Sequence, residues 1–419
     1  MKLMIQGLAL VGLAGWLLTG AVSCSGRQQG GSDDLSVLSA DSLEETHAWA
    51  DTSRVYALLV SPERSAPGEP FGVLAAGDGA MRKARILCEG PGISQEIKPI
   101  KEGDGPPRWK WLEGVAPGGG SYSVSIEING EVMARHEFTV SSEKAPASPG
   151  ASIWKTRRGW GSDAELLFSA WIGALFRDAG EGASWKALHG ITREQQSNFL
   201  HNHLGMNEDD PSASPTVMME PDCADSPYFL RAYFAWKLGL PFGYHEADRG
   251  WLGKAPQTGR WITNETASSR NHSVLAFNAF MRRVMDGVHS GSARTALNNE
   301  KTDYYPVPLT RQALRPGVVF ADPYGHTFVL VKWMPQTGHR PGTLLAVDAQ
   351  PDGTVAVKRF WKGNFLFNTI EVVGEPGFKA GPSATRAAPV SVPRSMRRSG
   401  AASSASASAS ASTSRPSAS

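Results

Sequence analysis

The spacing of apolar and polar positions changes character twice along this chain. From about Val55 to Val140 the apolar residues come in short runs, among them YALLV, GEPFGVLAAG and ARILCEG, broken by turn-forming clusters. Ser123 to Ile128 alternates polar and apolar, Asn129-Gly130 follows, and the returning segment alternates again. Period-two alternation around Asn-Gly predicts a hairpin, because that turn needs positive φ at both central residues. Residues 51–142 are therefore expected to form an antiparallel β-sandwich. After a Pro/Ser/Gly linker at 143–152 the period becomes helical: LLFSAWIGALF follows Ser162-Asp163-Ala164-Glu165, a capping-box pattern. A second helical stretch through SNFLHNHLG leads to the acidic segment NEDDPSASP, which reads as solvated, and YFLRAYFAWKLGLP reads as a further helix with its aromatic residues in the core. From Leu314 strands return, as VVFA, HTFVLVKW, TLLAVDA and TVAVKRFW separated by turn signals, which suits an antiparallel meander. Helices followed by sheet make 153–376 an α+β domain. Residues 377–419 turn to Pro, Ser, Ala and Arg and are expected to be disordered.

The ends of the chain and its charge narrow the picture. The 419 residues carry 42 Lys plus Arg against 40 Asp plus Glu, a net charge of +2, so electrostatics supply no case for nucleic acid. The opening MKLMIQGLALVGLAGWLLTGAVSC has one lysine, a long apolar core and small residues before Cys24. It resembles a bacterial lipoprotein signal. The resemblance implies a signal peptide at 1–23, lipidation of Cys24, a polar linker at 24–50 and a membrane tether through that lipid. Ser25 stands where an Asp would resemble an inner-membrane retention signal, so the outer membrane, facing the periplasm, is the expected location. The alternative is a transmembrane anchor from Leu3 to Val22. The sandwich pattern likewise resembles the immunoglobulin-like domains of extracellular bacterial proteins.

Lipidation leaves two thiols, Cys88 and Cys223. Cys88 alternates with Ile86 on a predicted strand and belongs in the sandwich core. Cys223, in Pro221-Asp222-Cys223-Ala224-Asp225, precedes an apolar helix, where free N–H groups and the helix dipole favour a thiolate. A disulfide between the two is the competing reading. Pro227 opposes a helix starting directly at Cys223, since it removes an early hydrogen bond and restricts Ser226. A thiol nucleophile needs a base and a group to orient that base. His326 opens the strand HTFVLVKW after a tight turn, and Asp348 lies in the next strand, within reach if the two strands are adjacent.

Asp222-Cys223-Ala224 before a helix ending in Gly239-Leu240-Pro241, the segment Leu314-Arg315-Pro316-Gly317-Val318-Val319-Phe320, and Gly325-His326 with its strand together resemble the NlpC-type cell-wall peptidases. These are a branch of the papain-like cysteine hydrolases. The resemblance covers roughly residues 150 to 370 and implies hydrolysis of amide bonds in peptidoglycan stem peptides, with Cys223 as nucleophile, His326 as general base and acid, and Asp348 as orienting group. No cofactor is implied. The chain departs from the family pattern at Val318, which replaces an acid, and at residues 243–313, which read as an insertion. The family's tyrosine upstream of the cysteine is also missing. Asn198, His201, Asn202 or His203 are the substitutes considered for holding an oxyanion, with His201 and Asn202 preferred, beside the Cys223 N–H. Two other readings stay open: a non-catalytic lipoprotein binding wall peptide or a protein partner, and a metal-dependent hydrolase using His201, His203, Glu208, Asp209, Asp210 and Asp222. His245, His272 and His289 have no evident partner in the sequence.

Overall fold

The computed structural model describes residues 55–143, 152–250, 253–269, 273–295, 301–360 and 373–381. The signal segment, Cys24, its linker, His272 and the chain beyond 381 lie outside the described residues. The protein is multidomain and β-rich, with several sheets and few helices. No helix among the described residues is long and apolar enough to cross a membrane.

Eight strands come first: β1 (Ala57–Ser61), β2 (Pro70–Gly77), β3 (Arg85–Gly90), β4 (Ile93–Ile97), β5 (Pro99–Gly103), β6 (Arg108–Val115), β7 (Gly120–Ile128) and β8 (Glu131–Val140). They form two four-stranded sheets, ordered β1-β2-β6-β5 and β4-β3-β7-β8. The inward residues of both, including Val73, Ile86, Cys88, Leu112, Val124 and Ile126, share one core. The Asn129-Gly130 turn joins β7 to β8 with φ of 53° and 85°, as its sequence predicts. The other face of the first sheet is not free. Leu59, Leu74, Trp109 and Trp111 pack into the same cluster as α1 (Ser162–Leu175), which explains why every residue of β1 is buried. The sandwich is thus joined to the rest of the molecule through a continuous apolar interface, and β1 and β2 are buried more completely than alternation implied.

The remaining elements are β9 (Ser184–Trp185), α2 (Leu188–Thr192), α3 (Ser226–Leu238), β10 (Gly243–Ala247), β11 (Thr258–Thr263), α4 (Ser273–Gly287), β12 (Tyr305–Pro306), β13 (Val319–Ala321), β14 (Thr327–Met334), β15 (Thr343–Ala349), β16 (Val355–Arg359) and β17 (Gly377–Ala380). The predicted meander is present as β13-β14-β15-β16, extended by β9 at one edge and by β17 and β12 at the other. Residues 377–380, assigned to the tail by composition, are instead a buried strand pairing with β13 and β12. Four residues bounded by glycine are too few to register against the Pro/Ser/Ala bias that follows.

Helix α3 is buried on every side, all 13 residues included. Its two charges must therefore be paired. Arg231 meets Glu165, and its guanidinium lies 3.3 Å from the Trp160 ring centroid. Glu165 is consequently turned inward, and the expected capping box does not form; Gly161 caps α1 without a side-chain bond. Lys237 donates to Asp209 at 2.6 Å and to Glu208, all three side chains being fully buried. The acidic segment is thus a buried counter-charge and not a solvated loop. SNFLHNHLG likewise forms successive turns, because the side chains of Asn198, Asn202 and Glu208 accept from the backbone N–H groups of Leu200, Asp209 and Leu204 and leave no uninterrupted helical ladder. Removing the ammonium leaves two buried carboxylates uncompensated, so Lys237→Met is expected to destabilise the fold by about 3–5 kcal/mol. A urea-denaturation midpoint close to wild type would refute this.

Helix α3 ends at Gly239, with φ of 63°. That left-handed conformation is what calls for glycine there.

Candidate active site

Cys223 lies in a turn three residues before the first residue of α3. The helix starts later than the apolar pattern suggests, and Pro227 occupies the first turn, where its missing N–H costs nothing. Side chains hold the turn. Asp222 Oδ1 accepts from the N–H groups of Ala224 at 2.8 Å and Asp225 at 3.2 Å, and the Asp222 carbonyl accepts from Ser226 N at 3.0 Å. Thr327 Oγ1 donates to the Cys223 carbonyl, joined by Ser226 Oγ at 3.4 Å. The backbone of Cys223 is clamped between α3 and the sheet, while its N–H donates to no acceptor among the described residues. Cys223 and Cys88 are both free and buried, so no disulfide joins them.

His326 is placed by the β13–β14 hairpin. Gly325, with φ of 93°, and the bond from Asp322 N to the His326 carbonyl at 2.8 Å close the turn. Val329 pairs with Val347, and continuing that register by one step sets Phe328 opposite Asp348. His326 is then diagonal to Asp348, a separation that an imidazole and a carboxylate can span. His326 Nε2 and Asp348 Oδ1 form a hydrogen-bonded ion pair. Phe328 packs edge-on to the imidazole, 4.8 Å between centroids.

The ring also interacts with the Cys223 thiol. Its hydrogen bonds to Asp348 and Cys223 outweigh burial and raise the His326 pKa from 6.5 to about 10. Burial pushes the Asp348 carboxyl up, but hydrogen bonds from His326 and Lys358 hold it below its usual range. Gln350 Nε2 adds a third bond to Asp348, at 2.6 Å. Asp348 is fully buried, whereas the His326 side chain keeps 30% of its surface open to solvent. The pair therefore holds an imidazolium beside a sulfur.

Sequence reasoning missed Thr327, Gln350, Lys358 and the Asp222 turn. Gln350 follows Asp348 by two positions and shares its face of the strand. Lys358 lies two beyond Ala356, the cross-strand partner of Asp348. Both were accessible from strand periodicity once the QPDG turn had been used to set the register.

The candidates proposed for an oxyanion are elsewhere. Asn202 and Asp209 bond each other's backbone N–H at 2.9 Å, His203 Nδ1 meets Ser61 Oγ at 3.0 Å, and Asn198 is engaged by Trp171 and Tyr233. His201 lines a small cleft against Phe71 and Trp111 of the sandwich. Asp209 is bound to Lys237 near the C-terminal end of α3, and the helix spaces that end roughly 16 Å from the Cys223 end. His201 and Asn202 therefore do not serve the thiol. Among the described residues no group of three or more His, Cys, Asp or Glu is placed to hold a metal, and Glu208 and Asp209 are neutralised by Lys237.

Residues 243–313, read as an insertion, bond to the first turn of α3, which follows the thiol. Buried Asp303 accepts from Tyr228 Oη at 2.8 Å, in the first turn of α3, and pairs with His245 Nδ1 at 2.7 Å on β10. His245, which had no partner in the sequence, thus gains one from 58 residues away. His289 caps the short helical turn Ser290–Arg294, which lies over Gly325. Two residues after Cys223, burial and then Asp222 push the Asp225 carboxyl up to about 8. No protein-family model and no curated protein sequence matches the chain.

Proposed function

We propose that the chain is a cysteine hydrolase of the NlpC-type, papain-like group that cleaves amide bonds in peptidoglycan stem peptides. On this reading the N-terminal sandwich is immunoglobulin-like, and Cys24 carries a lipid that holds the protein at the outer membrane, facing the periplasm. The observation that carries the reading is the position of His326, hydrogen-bonded to Asp348 and coupled electrostatically to the Cys223 thiol. Asp348 fixes the orientation of the ring and stabilises its charged form.

In the reaction the Cys223 thiolate attacks the amide carbonyl carbon, and the electron pair of the carbonyl moves to oxygen. The unpartnered Cys223 N–H is the donor available to that oxyanion. His326 protonates the leaving amine as the C–N bond breaks, leaving a thioester on Cys223. It then takes a proton from water, whose oxygen attacks the thioester and releases a carboxylic acid, restoring the Cys223 thiolate beside the protonated His326.

Exposure of purified peptidoglycan to the full protein is expected to release new amino groups. Iodoacetamide should label Cys223 at neutral pH, and His326→Ala should slow that labelling by about 10²-fold or more, given what a positioned base contributes. Absence of both amine release and His326-dependent labelling would favour a non-catalytic binding protein.

A further inference from the structure

We propose that the cleft between the β5–β6 turn of the sandwich and the far end of β14 binds an anionic glycan, by carboxylate or phosphate groups on its sugars. The cleft has a volume of about 620 Å³ and includes the end of α1 in its wall. Five cationic side chains line it against three carboxylates, and five minus three leaves two positive charges in excess.

The carboxylates do not neutralise the cations evenly. Arg108 pairs with Asp104 at 2.7 Å, and Arg177 with Asp178 at 2.7 Å, while Lys101 approaches Asp178 from outside the lining at 3.3 Å. Arg82 and Arg311 have no carboxylate partner among the described residues, and both are exposed. The Arg311 guanidinium stands 5.6 Å from the ring centroid of partly exposed Trp333.

Unpaired guanidiniums and an indole rim call for a ligand with planar or tetrahedral anionic groups and several hydroxyls. A surplus of two charges suits a sparsely charged saccharide. It is too small for a nucleic acid, whose affinity depends on neutralising a run of phosphates. Trp333 lies seven residues along the chain from His326, roughly 20 Å on a strand. A glycan held here leaves the Cys223 turn accessible, so the site is distinct from the proposed catalytic one and does not depend on the thiol being reactive.

The test uses the full protein with Cys223→Ala and the same protein carrying Arg82→Glu and Arg311→Glu. Fluorescent hexagalacturonate supplies the carboxylate arm, a ribitol-phosphate oligomer the phosphate arm, and maltohexaose a neutral control. A thymidine 12-mer tests the nucleic-acid class. At least one anionic oligomer is expected to bind at least tenfold tighter than maltohexaose, and to lose at least tenfold in the double variant, with unchanged circular dichroism. Binding by neither anionic glycan overturns the proposal. So does equal affinity in the variant, equal affinity for maltohexaose, or tighter binding of the thymidine 12-mer than of either glycan.

Discussion

Cys223→Ala is expected to lower amide hydrolysis by about four to six orders of magnitude, the scale on which removing a nucleophile acts. The fold should persist. The turn at Cys223 is held by the carboxylate of Asp222, the hydroxyls of Thr327 and Ser226 and the Cys223 carbonyl, none of which needs the sulfur. The residue is small and 9% exposed, so removing its single Sγ atom should cost no more than about 1 kcal/mol. Matched urea midpoints alongside activity assays separate the two effects. Undiminished hydrolysis in the variant would end the catalytic assignment, whereas loss of the fold would say that the thiol packs more tightly than its surroundings indicate.

The second large effect is expected from Asp348→Asn, at about 10³–10⁴-fold in kcat/KM. An amide can present its NH₂ group to the ring nitrogen that Asp348 now accepts from, which favours the wrong tautomer and withdraws the charge that stabilises the imidazolium. The pH dependence distinguishes this from mere misfolding. The His326 pKa, raised to about 10 chiefly by its hydrogen bond to Asp348, should fall towards 6.5. The limb of the pH–rate profile that follows loss of the His326 proton should therefore move to lower pH.

Stability follows the same sign. Because the folded pKa of His326 lies above 6.5, its contribution is complete below that pH and is lost as pH rises through about 10. Asp348, depressed below 3.8, contributes above that value and loses its contribution as pH falls through its lowered pKa. In the Asn variant both dependences should flatten. An alkaline limb in the same place as in wild type would count against His326 as the general acid.

The three residues of the site were legible because each has a local signal. Cys223 precedes an apolar run, His326 follows the Asp-Pro-Tyr-Gly turn, and Asp348 ends an apolar strand before another turn. Turns and strand periods are short-range properties, set by φ preferences and by which face a side chain takes. The oxyanion candidates were chosen by residue type alone, without any local feature tying them to the thiol. They fell at the other end of α3, against Lys237 and the sandwich.

What the sequence determined by itself is the strands of the sandwich and of the C-terminal meander, the Asn129-Gly130 and Gly325 turns, the Gly239 helix end and the order of cysteine, histidine and acid. Each follows from backbone conformation or from periodicity over a few residues. Tertiary structure alone decided where charge goes. Lys237 and Arg231 on α3 are buried because Glu208, Asp209 and Glu165 arrive from distant segments to pair with them. His245 acquires Asp303, and Asp348 acquires Lys358 and Gln350, in the same way. Burial makes such pairing obligatory, because an unpaired charge inside a protein is too costly to keep, but it does not reveal in advance which partner the folded chain will supply.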